Sequence, residues 1–192
     1  MNCRAIASQA DLELAYTWLV DPENAKWYDF GSEPLSLLKF RVMVNKKTDV
    51  YRLFSFEESQ TAIALAVLSD VNLLHRSAHF WMVLGTKEHR RRGYALRIVH
   101  EMMKHAFVKL QLNTLHAFLA APNVASLGLI QKAGWICTGR QRKSYWMDGG
   151  FVDRLNVDIL REEYLALAAH EHCEPRLSQA LADSAYGLSC LG

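Results

Sequence analysis

The chain has 192 residues, 51% apolar and 22% charged, with a net charge of +2. That length fits one globular domain with a terminal appendage, and the charge gives no basis for nucleic acid or an acidic membrane surface as partner. No segment runs to about 18 apolar residues and the first residues lack a signal-peptide core, so a cytoplasmic protein is expected. Cys3, Cys137, Cys173 and Cys190 form no CxxC pair and read as reduced thiols. Cys190 has too few residues after it for a prenylation box.

Arg4 to Ser8 predicts a short first strand, and Leu12, Ala15, Tyr16 and Leu19 then recur at helical spacing. Pro22 ends that helix. Asn24 to Phe30, rich in aromatics, and Leu35 to Val44 read as further short helical pieces. Val50 to Phe56 and Thr61 to Leu68 are strand-forming runs joined by polar residues, and Ala78 to Leu84 is a third strand. The period then changes, since Ala95, Ile98, Val99, Met102, Met103, Ala106 and Leu110 make one apolar stripe of a helix of about five turns.

Thr114 to Ala120 fits a buried strand reached by that crossover helix. Asn123 can cap a helix through Ala133, which Gly134 ends. Trp135 to Trp146 and Phe151 to Leu160 form a hairpin about Asp148-Gly149, with Phe151, Leu155, Val157 and Ile159 on one inward face. The expected organisation is one domain over residues 1–164 and a helix and tail over 165–192.

The local charge is in Arg90-Arg91-Arg92-Gly93-Tyr94-Ala95, where a strand meets the amphipathic helix. A basic triplet alone can be a solvated helix start. In this context the first-turn amides and helix dipole converge on one small volume that suits a diphosphate. Gly93 allows close backbone approach, Ala95 keeps the next contact small, Tyr94 can turn inward, and an arginine can reach a further phosphate.

These residues resemble the phosphate loop of the GNAT superfamily of N-acetyltransferases, [Gln/Arg]-x-x-Gly-x-[Gly/Ala], filled by Arg90, Gly93 and Ala95. Asn123-x-x-Ser126 and Lys132-Ala-Gly134-Trp135 are similar to the signature of its RimJ/RimL-like branch. The resemblance covers about residues 50–164. It implies an α/β fold with a GNAT-like mixed, mainly antiparallel sheet flanked by helices, and acetyl-CoA as donor, with no metal. It also implies that the backbone of Val83 and Gly85 and the side chain of Asn123 meet the pantetheine arm, and that Ser126 reaches the sulfur. The family tyrosine that protonates the leaving thiolate is Ile130 in this chain, and Tyr145 is a second donor candidate.

An alkyl ammonium is deprotonated in only about one molecule in 2,500 at pH 7, so attack on a thioester calls for a base. By position in the family His79 fills that role, with Asp153 and Glu57 as weaker alternatives. Proximity alone can supply roughly 7 to 11 kcal/mol of the barrier reduction. The acceptor is a small-molecule or peptide amine, with a protein N-terminus, an amino sugar or an aminoglycoside as alternatives. The aromatics Trp18, Trp27, Tyr28 and Phe30 can wall its pocket or be core. A longer acyl donor and a non-catalytic CoA-binding regulator are the competing readings, and the final strand or tail helix offers a surface for a homodimer. His170 to Glu174 has metal-capable groups but no second cluster, so no metal is assigned.

Overall fold

The computed structural model describes residues 1–56 and 61–171, and for residues 170 and 171 the backbone only. Glu57 and the segment His172 to Glu174 lie outside the described residues. A seven-stranded sheet runs in the order β1 (Asn2–Arg4), β2 (Val50–Ser55), β3 (Ala62–Asn72), β4 (Ser77–Leu84), β5 (Thr114–Ala120), β7 (Gly150–Leu160) and β6 (Ile136–Met147). All neighbours are antiparallel except β4 and β5, which are parallel and joined by the crossover helix α4 (Tyr94–Lys104). The expected mixed, mainly antiparallel α/β sheet is present.

One face of the sheet carries α4 and α5 (Val124–Lys132), with α6 (Arg161–Glu171) docked through Tyr164 against Phe107 at 5.3 Å between ring centroids. Ile98, Val99, Met102 and Met103 of α4 are buried there. Each is worth roughly 1.5 to 3 kcal/mol of burial, which makes the apolar stripe read from sequence the main anchor of the crossover. The helix is α-form only to Lys104 and continues as a π-helical turn over His105–Lys109. The other face carries α1 (Gln9–Val20) and α3 (Leu37–Val44), which bury Trp18, Leu19 and Phe40 against Leu65, Val67 and Val83. Among the described residues no helix is long and apolar enough to cross a membrane.

The first strand is Asn2–Arg4 rather than Arg4 to Ser8. The reason lies in Asp11, whose carboxylate takes both arms of the Arg4 guanidinium at 2.6 and 2.7 Å and the amides of Ala7 and Ser8 at 3.1 and 3.2 Å. Ser8 caps the Asp11 amide in return, so residues 5–8 are spent on entering α1. The helical reading of Asn24 to Phe30 also shortens, to α2 (Pro22–Ala25), because Asp21 and Pro22 start a turn that is not propagated. Phe151 does not face inward as expected. It is 62% exposed and packs edge-on against Trp146, because β5 pairs with β7 only from Arg154 onward. Cys3 is an exposed free thiol, and Cys173 and Cys190 lie outside the described residues.

The Arg4 guanidinium holds the Asp11 carboxyl far below the ordinary carboxylate range. Its contribution is present above the unfolded value of about 3.9 and fades as pH falls toward the depressed folded value. Asp11→Asn is expected to cost about 2 kcal/mol in urea melts at pH 7, from a lost cap and a charged pair. The gap from wild type should narrow when the melts are repeated near pH 2.

Candidate active site at the parting of two strands

Parallel pairing of β4 with β5 covers only Ser77 with Thr114, Ala78 with Leu115 and His79 with His116. Both strands continue beyond, so a gap opens between residues 80–84 of β4 and the end of β5. The backbone on its β4 side is fixed by register. The amide of Gly85 donates to the Ile63 carbonyl at 2.8 Å, and Val83 opposes Leu65. Antiparallel hydrogen bonding alternates, so Val83 and Gly85 turn their backbone toward β3, and Met82 and Leu84 turn theirs into the gap. The backbone groups that face the gap are thus those of Met82 and Leu84, next to the Val83 and Gly85 that the resemblance named.

Gly85 also serves packing. A Cβ on it would lie 2.4 Å from the Trp18 indole, so its missing side chain is what lets Trp18 pack against the strand end. Trp18 is thus core, one of the two readings its spacing allowed. Gly85→Ala is expected to destabilise the protein by about 1–3 kcal/mol through overpacking, read as a lower urea midpoint with an unchanged slope.

The C-terminal end of β4 leads through a 3₁₀ turn, Lys87–His89, into the arginine loop. Arg91 and Gly93 both take left-handed backbone, at φ 60° and 77°, which curls successive amides toward one side. Gly93 is the N-cap of α4 and gives no side-chain cap, and a Cβ there would meet nothing within 4 Å. The first-turn amides therefore face an open approach, and the exposed Arg91 and Arg92 stand beside it. This arrangement fits a diphosphate. Arg90 differs from its neighbours, because one guanidinium nitrogen donates to the buried Asn24 side chain at 3.0 Å. Asn24 in turn donates to the Trp18 carbonyl at 3.0 Å, which ties the loop to α1. Tyr94 turns back as anticipated and meets Phe56 edge-on at 4.9 Å.

At the head of α5 the Asn123 side-chain oxygen accepts from the Ser126 amide at 3.2 Å. Asn123 is thus an N-cap, and its amide nitrogen remains for a ligand carbonyl. Ile130 is buried in the core beneath α4, so no tyrosine occupies that place.

His79 lies where β4 and β5 part, stacked on Phe118 at 4.6 Å and 5.5 Å from the His116 ring. Its Nδ1 is 3.2 Å from the Ser69 hydroxyl. Burial first, and the neighbouring His116 second, push its pKa down to about 4. The ring is neutral at pH 7 and open to a proton, though weaker as a base than an exposed histidine. Asp158 opposes His116 on β7, its pKa raised chiefly by burial, so Ser69, His79, His116 and Asp158 form a polar row across four strands.

The segment Lys26 to Gly31 lies over the same face. Tyr28 stacks on Phe30 at 5.7 Å and meets Trp81 edge-on at 5.9 Å, and its hydroxyl donates to the Met82 carbonyl at 2.5 Å. Tyr145 donates to the Lys26 carbonyl at 3.1 Å, and Arg154 pairs with Asp29 at 3.0 Å while lying over Phe118 at 4.4 Å. Asp153 faces away from this cluster, bound to Arg140 and the Lys143 amide. Sequence reasoning counted Tyr28 only as a pocket aromatic and missed Asn24 and Arg154. Asn24 had no pattern to reveal it, whereas the parity of Arg154 with Asn156 and Asp158 on one strand face was available. Among the described residues no group of three or more His, Cys, Asp or Glu side chains is placed to hold a metal ion.

A sheet parted beside its one parallel pair, with an anion-ready helix start at its open end, defines an acyl-CoA transferase architecture. The chain belongs to the acetyltransferase (GNAT) domain family, whose model matches residues 3–136, and it is an acetyl-CoA-dependent N-acetyltransferase of that type. It is similar to the spermidine N(1)-acetyltransferase of Vibrio cholerae, 27% identical over 140 residues that cover 72% of this chain and 80% of that protein. A crystal structure of spermidine N-acetyltransferase from Vibrio cholerae in complex with CoA and spermine matches with a TM-score of 0.76. The identity is 20%, over 85% of this chain and 97% of that one. A dodecameric structure of the same enzyme matches at a TM-score of 0.73 and 20% identity, over 87% and 97% of the two chains. The likeness to solved structures is one of fold. The similar proteins named are spermidine acetyltransferases, which supports the GNAT domain family but not specifically the RimJ/RimL-like branch to which the Asn123-x-x-Ser126 motif pointed.

Proposed function

We propose that the chain moves an acetyl group from acetyl-CoA to a primary amine by direct attack in a ternary complex, with a polyamine as acceptor class. The observation that carries the donor half is the arginine loop. Two left-handed residues, an uncapped helix start and an open face at Gly93 converge beside Arg91 and Arg92. The diphosphate sits there, and the pantetheine arm runs between β4 and β5 with Met82, Leu84 and the Asn123 side chain as its polar contacts. The acceptor half is supported by the activity named for the similar proteins. On this chain Asp29 and Asp158 are the carboxylates that the acceptor-side face offers an ammonium group. The protein N-terminus and the amino sugar find no support in the comparisons. Thiol release with spermidine, spermine and a panel of other amines tests the reading, and CoA binding without turnover on any amine would contradict it.

The amine meets the thioester from the face of His79 and Trp81, and a splay-facing amide of Met82 or Leu84 polarises the thioester carbonyl. His79, directly or through a water, takes the proton that the nitrogen sheds. With its pKa near 4 it contributes less than a base tuned to the working pH. His79→Gln is therefore expected to lower kcat by about tenfold or less. The acid limb of the pH profile should stay where the acceptor's own ionisation puts it; a limb that moves with the substitution would show that His79 sets it.

Replacing Arg91 and Arg92 together by Ala is expected to raise KM for acetyl-CoA about tenfold or more at low salt, with kcat little changed. Added salt should narrow that difference. Steady-state kinetics at two ionic strengths make the check.

A further inference from the structure

The tyrosine that the family would use to protonate the leaving thiolate is absent, and Ile130 in its place is buried in the apolar core. A departing thiolate still benefits from a donor. Tyr145 has its hydroxyl committed to the Lys26 carbonyl. Tyr28 comes from the opposite side, on the segment that follows α2. Its ring is held between Phe30 and Trp81, and its hydroxyl reaches the Met82 carbonyl at 2.5 Å. That carbonyl faces the gap between β4 and β5, so the phenol stands at the gap's mouth.

We propose that Tyr28 is the catalytic residue that gives its hydroxyl proton to the CoA sulfur as the thioester breaks. The inference rests on the reading that the arm of acetyl-CoA lies in this gap. The amine nitrogen forms a bond to the thioester carbon, and collapse of the tetrahedral intermediate breaks the carbon–sulfur bond with its electron pair going to sulfur. The Tyr28 proton passes to that sulfur to give the free thiol. The proton shed by nitrogen goes to His79 or a water and returns to the phenolate through solvent, so amine plus thioester become amide plus thiol.

Three features suit Tyr28 to this step. Burial raises its pKa above the ordinary phenol value, which keeps the proton in place in the resting enzyme but also makes the phenol a weaker acid, so the transfer depends on the groups that stabilise the phenolate. The Arg90 charge opposes that rise and favours the phenolate once the proton has gone. In the resting enzyme the hydroxyl binds a neutral carbonyl. Hydrogen bonds to a charged acceptor are about twice as strong, so a nascent thiolate draws the donor away from Met82.

Tyr28→Phe keeps the ring contacts and removes only the hydroxyl. It is expected to lower kcat for spermidine acetylation about a hundredfold while CoA affinity, measured by calorimetry, stays at the wild-type value and the enzyme remains folded with a modestly lower Tm, since the Met82 carbonyl loses its donor. Tyr16→Phe is the control, since it removes another phenol-to-carbonyl bond, to Leu35 at 3.1 Å, and should leave kcat unchanged. Trifluorotyrosine at position 28 retains the hydroxyl and lowers its pKa, so kcat should fall at alkaline pH where wild type does not. Wild-type kcat in Tyr28→Phe overturns the proposal, as does a loss matched by lost CoA affinity or shared by Tyr16→Phe. A trifluorotyrosine enzyme with the wild-type pH profile also overturns it. If wild type itself releases no thiol with any amine, the functional reading fails first and this step goes with it.

Discussion

The parting of β4 from β5 after His79 and His116 is the constraint on which the site depends. Two strands of one sheet that separate leave unpaired backbone amides and carbonyls, and each buried group of that kind costs about 1–3 kcal/mol if it finds no partner. Part of that cost is met inside the protein, since the Tyr28 hydroxyl satisfies the Met82 carbonyl. In the proposed complex the rest is offset by the extended, amide-bearing pantetheine arm. On the proposed reading, one geometric defect thereby provides the groove for the cofactor and sets its polarity.

Around that defect the polar contacts form a chain of supports. Asn24 links the Arg90 guanidinium to the Trp18 carbonyl, and Trp18 packs on Gly85 at the end of β4. The arginine loop, the first helix and the strand end thus share one junction built on Asn24 and Trp18. On the acceptor side, Tyr28, Tyr145 and the Arg154–Asp29 pair hold the segment Lys26 to Gly31 over His79 and Phe118. The two sets of contacts meet at Met82, whose carbonyl accepts from Tyr28.

The crossover was legible because each part has a local cause. A left-handed Gly93, an apolar stripe on α4 and the Asn123 cap are written in consecutive residues, and the structure places them as the sequence implies, while the strand read as buried, β5, exposes His116 and Phe118 on one face. The loop's amides follow from Gly93 in the same way. What was not legible depends on pairing between distant segments. The choice between Met82 and Val83 needs the register with β3, which no run of residues in β4 encodes. The role of Arg90 needs Asn24, and that of Tyr28 needs the path of a short segment whose helical reading stopped at Ala25. The first strand failed for the same reason, since Asp11 draws residues 5–8 into its cap from outside their own pattern.

Residue-resolved amide exchange with and without CoA tests the account most directly. Val83 and Gly85 bond to β3 and should exchange slowly in both states, while Met82 and Leu84 face the gap and should become protected only when CoA is bound. The amides of the loop from Arg91 to Ala95 should gain protection with them. Unchanged exchange at Met82 and Leu84 in the presence of saturating CoA would contradict the placement of the arm between β4 and β5.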